Sequence, residues 1–381
     1  MTDRASSTVQ RIGAAADQAG LDAVLLLGLE NVQHAAGAPL RSASALDRPN
    51  VVLIDRNGAG TVFTSEETVD TVGLMTTGLQ VLGYDERGAL FPRGIIDRVV
   101  TELNSRGLTS ARIGYESDRM VVAVHELISE SMTDVELVPF DAELRRSRMV
   151  KQPADLDTIA EAARLTENAL AQTIRTMALG DTERQVADRL IGYMQAAGFS
   201  NVDPLVGGGP NAARIGPPTD RPIEVGDWVR LDVKSRYRGF LYTDAGRMAV
   251  VGEPTGEQHA AYRRQYELNL RIIDFLRPGR RCGDVYRYAQ QQAGELGAEL
   301  FNYGHIGIGH GIGVGGTERP VLHERDEVIL EPGMVINIEP DTYGPGREIL
   351  HIEDMLLITE GATEPLSHRD DWSKLRSIGA A

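Results

Sequence analysis

The chain has 381 residues, 42% of them hydrophobic and 25% charged, and a formal charge of −16. That length suits two cores better than one, and the acidic balance argues against a nucleic-acid partner. A single cysteine, Cys282, rules out an internal disulfide or a thiolate cluster and fits a reducing compartment. No apolar run approaches the ~20 residues of a membrane span, and no basic-then-apolar leader opens the chain. The expectation is a cytoplasmic protein with no membrane partner.

The first part alternates helix and strand. Val9 to Ala19 reads as a helix closed by Gly20. Ala23 to Leu27 reads as a buried strand, and Val51 to Ile54 and Thr61 to Thr64 flank the hairpin signal Asp55-Arg-Asn-Gly58. Gly94 to Leu103 reads as a helix and Ala111 to Tyr115 as a strand, so a compact α/β domain is expected. Basic residues cluster near 141–156 and Pro153 interrupts, which places the boundary near Ser147: domains 1–147 and 148–381.

A long helix follows, Ala154 to Leu179. Helices then open after Gly180 and Gly279 and end at Gly198 and Gly297, at equal intervals, with strand material after each. Two related α+β halves account for this; two unrelated capped helices remain the alternative. Between them, His259 to Phe275 reads as another helix.

Acids concentrate in what should be buried strands. Trp228 to Val233 is a strand ending near Asp232, Arg236 to Gly239 is a turn, and the chain returns antiparallel through Asp244. The two aspartates are expected to face each other across the ladder, where they repel unless a cation lies between them. A solvated hairpin face is the plain alternative. Further on, His310 stands within Gly307-Ile-Gly-His-Gly-Ile-Gly313, so backbone can crowd against whatever its imidazole holds. Glu339 ends the apolar run Met334 to Ile338, and Glu353 lies in a strand-like run, Ile349 to Ile358. Buried acids are costly unless paired or metal-bound. Asp232, Asp244, His310, Glu339 and Glu353 form an oxygen-rich donor set suited to Mn, Fe, Co or Zn in a two-metal site, with ions about 3.5–4 Å apart.

With these residues in view, the chain resembles the M24 metallopeptidase family: methionine and Xaa-Pro aminopeptidases, prolidase and creatinase. The resemblance rests on Gly226-Asp227, Asp232, Gly239-Phe240 and Asp244, on Gly309 to Gly313, on Leu330 to Pro340, and on Ile352-Glu-Asp354. Gly20-Leu-Asp-Ala and Glu30-Asn31 resemble the creatinase-type N-terminal domain. It implies an α+β protein: a creatinase-type α/β domain followed by a pita-bread domain with pseudo-twofold αβ halves. It further implies two divalent ions per chain held by the five residues above, Glu339 as general base, and a homodimer in which the partner's N-terminal domain helps close the site.

Five departures from the family pattern bear on activity. The interval between the aspartates is one residue longer than in the family, so the second ligand falls on Thr243 or Asp244; a β-bulge would reconcile the two in favour of Asp244. Lys234 replaces a family glycine and either meets a substrate anion or points into solvent. Thr317 and Ile215 stand where the peptidases carry histidines that stabilise the reacting centre. His351 replaces an arginine. His305 is either a substrate-binding substitute or a core histidine bonded to backbone, and His323 reads as a surface residue. Substrate contacts are therefore assigned to His305, Thr317, His351 and Lys234. The reading is a metal-dependent hydrolase of a C–N bond in a small polar or dipeptide-like substrate. The alternatives are a metal-dependent lyase of the dimethylsulfoniopropionate type, a metal-free creatinase-like hydrolase, and a non-catalytic binding module. The glycine-rich run is not a dinucleotide loop, because it lacks the strand-loop-helix setting and the acid about 20 residues on.

Overall fold

The computed structural model describes residues 4–41, 48–89, 91–367 and 372–379. The chain divides into two compact units, Met1–Arg148 and Met149–Ala381. Ser147 itself lies inside a helix rather than in a linker.

In the first unit, α1 (Arg4–Gln18) leads into β1 (Ala23–Leu26) and α2 (Leu29–Ala36). The hairpin strands β2 (Val51–Asp55) and β3 (Gly60–Ser65) follow, then α3 (Val69–Met75), β4 (Leu79–Tyr84), α4 (Arg93–Ser105), β5 (Arg112–Tyr115), α5 (Val122–Ser131), β6 (Glu136–Pro139) and α6 (Asp141–Met149). The strands form one mixed sheet in the order β4-β3-β2-β1-β5-β6. Alternate residues of the central strands enter different cores. Val24, Leu26, Val52 and Ile54 pack with Val9 and Ile12 of α1, whereas Leu25, Leu53 and Phe63 pack with Ile96 and Val99 of α4. The sheet is thus sandwiched between helices, which explains why its strands read as continuous apolar runs.

The second unit repeats one theme. Helices α7 (Pro153–Thr176) and α8 (Glu183–Ala196) precede β7 (Phe199–Gly208), β8 (Trp228–Tyr237) and β9 (Leu241–Val251). Helices α9 (Gly256–Phe275) and α10 (Cys282–Glu295) precede β10 (Gly309–Gly311), β11 (Glu318–Val321), β12 (Val335–Ile338), the short pair β13 (Thr342–Tyr343) and β14 (Ile349–Leu350), β15 (Asp354–Ile358), β16 (Thr363–Pro365) and β17 (Arg376–Ile378). Capping boxes start α8 and α9: the Thr182 and Thr255 hydroxyls accept from Gln185 and Gln258, whose side chains accept in return from the threonine backbones. The first helix pair covers the sheet β17-β9-β8-β7 through Leu170, Val186, Leu190, Leu231 and Ala249. The second covers β11-β10-β12-β15-β16 through Ile272, Val285, Ala289, Ile336 and Leu356. Each of the valine, leucine and isoleucine side chains among them contributes about 1.5–3 kcal/mol on full burial. These are the pseudo-twofold halves of the pita-bread architecture.

Two local expectations change. Glu353 does not lie within a strand: the run splits into β14 and β15, and Glu353 falls between them at an isolated bridge to Gly246. The β8–β9 ladder runs unbroken from Trp228↔Val250 to Tyr237↔Leu241, so there is no bulge. The strands are joined by a three-residue turn, Arg238–Phe240, where Arg238 (φ 49°) and Gly239 (φ 87°) are both left-handed.

Candidate metal centre

The register of β8 and β9 decides which side chains reach the site. Asp232 is opposite Gly246, and Lys234 is opposite Asp244. The aspartates therefore do not face each other directly; they are diagonal neighbours on one face of the ladder. Val229, Leu231 and Val233 take the other face, against α7 and α8. Thr243 goes with them: its hydroxyl lies 3.0 Å from that of Thr166 and 3.3 Å from that of Ser235. Asp244 is buried and turned towards His310, with Oδ2 3.6 Å from Nε2.

The second sheet supplies the remaining donors. His310 is carried by β10, and its Nδ1 is 2.9 Å from the Gly311 carbonyl oxygen, which leaves Nε2 facing the acids. Glu339 follows β12 directly, with Oε1 3.4 Å from His310 Nε2. Glu353 is brought across by its backbone, whose N–H donates to the Gly246 carbonyl at 3.1 Å. Its side chain accepts from the Asn337 amide. Behind it, the fully buried Arg247 guanidinium donates to the Glu353 carbonyl and to Asp354, and pairs with Glu167.

His351, expected as a substrate contact, is buried inside the cluster. Its Nε2 is 3.2 Å from Glu353 and 3.8 Å from Asp232, and its Nδ1 is 2.9 Å from both Asp341 oxygens. Lys234 is half-buried and paired rather than simply solvated: its ammonium is 2.8 Å from Asp244 and donates to the Thr317 hydroxyl at 3.1 Å. Thr317 is exposed at that edge. His305 is exposed on a turn, so it is not a core histidine. His323 is half-buried against the Tyr286 ring, and Ile215 is exposed.

The electrostatics show how crowded the acids are. Burial pushes Glu339 up to about 8, opposed by His351 and Lys234 and reinforced by Asp341 and Asp232. Burial and the neighbouring Glu339 push Glu353 up to about 7. Burial, then Glu353, raise Asp244 well above the usual carboxylate range, against the pull of Lys234. Burial lowers His310. It also pulls down His351 and Lys234, but nearby carboxylates, Asp341 foremost for His351 and Asp244 for Lys234, carry both above their ordinary values. The donor atoms form two groups, Asp232/His351/Glu353 and Asp244/His310/Glu353, each with all its atoms within 4.8 Å of one another and sharing Glu353. Such a set of carboxylate oxygens and imidazole nitrogens fits divalent transition-metal ions.

Sequence reasoning missed Asp341, Asn337 and Gly246. Asp341 directly follows Glu339-Pro340, and an acid there was a usable signal. Gly246 gave only its small size.

Two related α+β halves, with paired groups of potential metal donors that share one carboxylate, are those of the pita-bread class. Comparison with known proteins narrows this. Residues 157–360 match the sequence model of metallopeptidase family M24, and residues 9–150 match that of the creatinase/prolidase N-terminal domain. The chain belongs to metallopeptidase family M24 and is a metal-dependent hydrolase of C–N bonds. An uncharacterized peptidase, YqhT, from Bacillus subtilis is 28% identical, over 92% of this chain and 95% of its own. An Xaa-Pro dipeptidase from Pyrococcus horikoshii is 29% identical, over 67% of this chain and 72% of its own. Among solved structures, an Xaa-Pro dipeptidase from Bacillus anthracis superposes with a TM-score of 0.85 at 25% identity, covering 98% of this chain and 100% of that one. No described helix is long and apolar enough to cross a membrane.

Proposed function

We propose that the chain hydrolyses a small polar, dipeptide-like substrate at a centre of two divalent ions held by Asp232, Asp244, His310, Glu339 and Glu353. The observation that carries this is the pair of donor groups sharing Glu353, with Glu339, which belongs to neither group, beside them at 3.4 Å from His310. Bound there, the ions would polarise the scissile carbonyl and lower the pKa of water towards neutrality. Glu339 is the general base: buried beside His310 and pushed up to about 8, it can take the proton of the attacking water and return it to the leaving amine. The Lys234 ammonium, beside the Thr317 hydroxyl at the exposed edge, offers a contact for a substrate carboxylate. Exposed His305 completes the substrate contacts.

The relatives named Xaa-Pro dipeptidases point to dipeptides, whereas Thr317 and Ile215, where the peptidases carry histidines, favour a smaller polar substrate. Manganese is one of the fitting ions, with Fe, Co and Zn. The proposal includes a cytoplasmic homodimer, which light scattering of the full chain checks.

The test is metal analysis of protein purified without chelator, with activity on Xaa-Pro dipeptides, creatine, ectoine and dimethylsulfoniopropionate. Two ions per chain and cleavage of a C–N bond are expected. Absence of bound metal would instead favour a creatinase-like or binding protein. Glu339→Gln should lower turnover about 10²–10⁴-fold with the fold intact; an unchanged rate removes the general-base assignment.

A further inference from the structure

His351 is built like a ligand rather than like a substrate contact. Its imidazole occupies the space above Gly246: a Cβ added there would lie 2.0 Å from Nε2 and 1.9 Å from Cδ2. Only glycine at that place in β9 admits the ring. On the far side the ring is held by Asp341, whose two oxygens are each 2.9 Å from Nδ1. Asp341 is itself fixed, accepting from the Tyr303 hydroxyl at 2.8 Å and donating its backbone N–H to the Glu339 carbonyl. A carboxylate on Nδ1 assigns the proton to that nitrogen and turns the Nε2 lone pair towards Asp232 and Glu353.

His310 has the same design. Its Nδ1 is fixed by the Gly311 carbonyl, and its Nε2 faces Asp244 and Glu339. Both rings are fully buried, and each belongs to one of the two donor groups that meet at Glu353. The separations of His351 Nε2 from Glu353 and Asp232, 3.2 and 3.8 Å, are close to those between donors that share one cation at about 2.1 Å.

We propose that His351 is a sixth metal-ligating residue, coordinating through Nε2 the ion held by Asp232 and Glu353, with Asp341 and Gly246 as its positioning residues. Each ion of the pair then has one imidazole: His310 on the Asp244 side and His351 on the Asp232 side. The inference rests on the two-metal reading above and changes its donor count.

The test is zinc loading of the full chain, with metal content by mass spectrometry and imidazole number by X-ray absorption. The wild type should hold two ions averaging one imidazole each. In His351→Gln either two ions remain and share one imidazole, or the metal content falls to a single ion bound through His310. Asp341→Asn keeps the ring but loses the carboxylate, and should weaken one ion by about 10–100-fold. It also serves as the readout should His351→Gln fail to fold. Two ions averaging half an imidazole each in the wild type, unchanged in His351→Gln, would overturn the assignment of His351 and leave the two-metal reading intact. A wild type that binds no zinc overturns both.

Discussion

At Asp244 two cations compete for one carboxylate. The Lys234 ammonium lies 2.8 Å from it, and a metal ion in the Asp244/His310/Glu353 group would use the same oxygens. Removing the ammonium should favour the metal, because a unit charge about 4 Å from a divalent ion costs on the order of 8 kcal/mol at an effective dielectric of 20 and less where water screens it. Lys234→Met should therefore tighten divalent-ion binding about tenfold or more by titration calorimetry; weaker binding would mean that the ammonium helps hold the site together. The buried acids set the pH response of the chelator-treated protein. Glu339 and Glu353, at about 8 and about 7, lie above the unfolded glutamate value of about 4.3, and His351 is also raised. For raised groups the stabilisation is complete below the unfolded pKa and is lost as pH rises through the folded one. The melting temperature of the chelated protein should thus fall between about pH 6 and 9. A melting temperature that rises over this range would contradict the burial of these acids.

The β8–β9 hairpin is the element on which the site turns. Facing in a strand has a period of two, so one residue more or less in the turn would swap Asp244 for Thr243. The three-residue turn Arg238–Phe240 sets the phase that puts Asp244 and Asp232 on one face, without a bulge. It does so with Arg238 at φ 49°, a conformation disfavoured for any residue with a Cβ. Its ion pair with Glu161, 3.2 Å between exposed side chains, offsets little of this. Arg238→Gly should raise stability by about 0.5–1 kcal/mol in a denaturant titration with metal content unchanged. A loss of stability would show that the arginine's contacts outweigh the strain relief. The hairpin's existence could be read from its apolar alternation and its glycine; its phase could not, because phase depends on how many residues the turn consumes.

Across the whole molecule, each unit has its own core, and every donor of the candidate centre belongs to Met149–Ala381. Metal that binds the folded unit stabilises it by mass action. Chelation should therefore speed hydrogen exchange in β8–β10, β12 and β15, while the sheet of the first unit keeps its protection; uniform loss across both units would contradict this division. The helices, the strand runs, the glycine-rich segments and the acids and histidines that gather in the candidate cluster were legible in the chain, since periodicity and the chemistry of buried charge are local properties. Glu353's place between strands, the phase of Asp244, the pairing of Lys234 with Asp244 and the seat of His351 on Gly246 were not. The places of Glu353 and His351 arise where the β9 backbone meets the segment before β15, a pairing of residues more than a hundred positions apart, whereas the β8–β9 turn sets Asp244 and Lys234. Residue type alone named the groups able to hold a metal; only the packing of two sheets against each other decided which of their atoms come together.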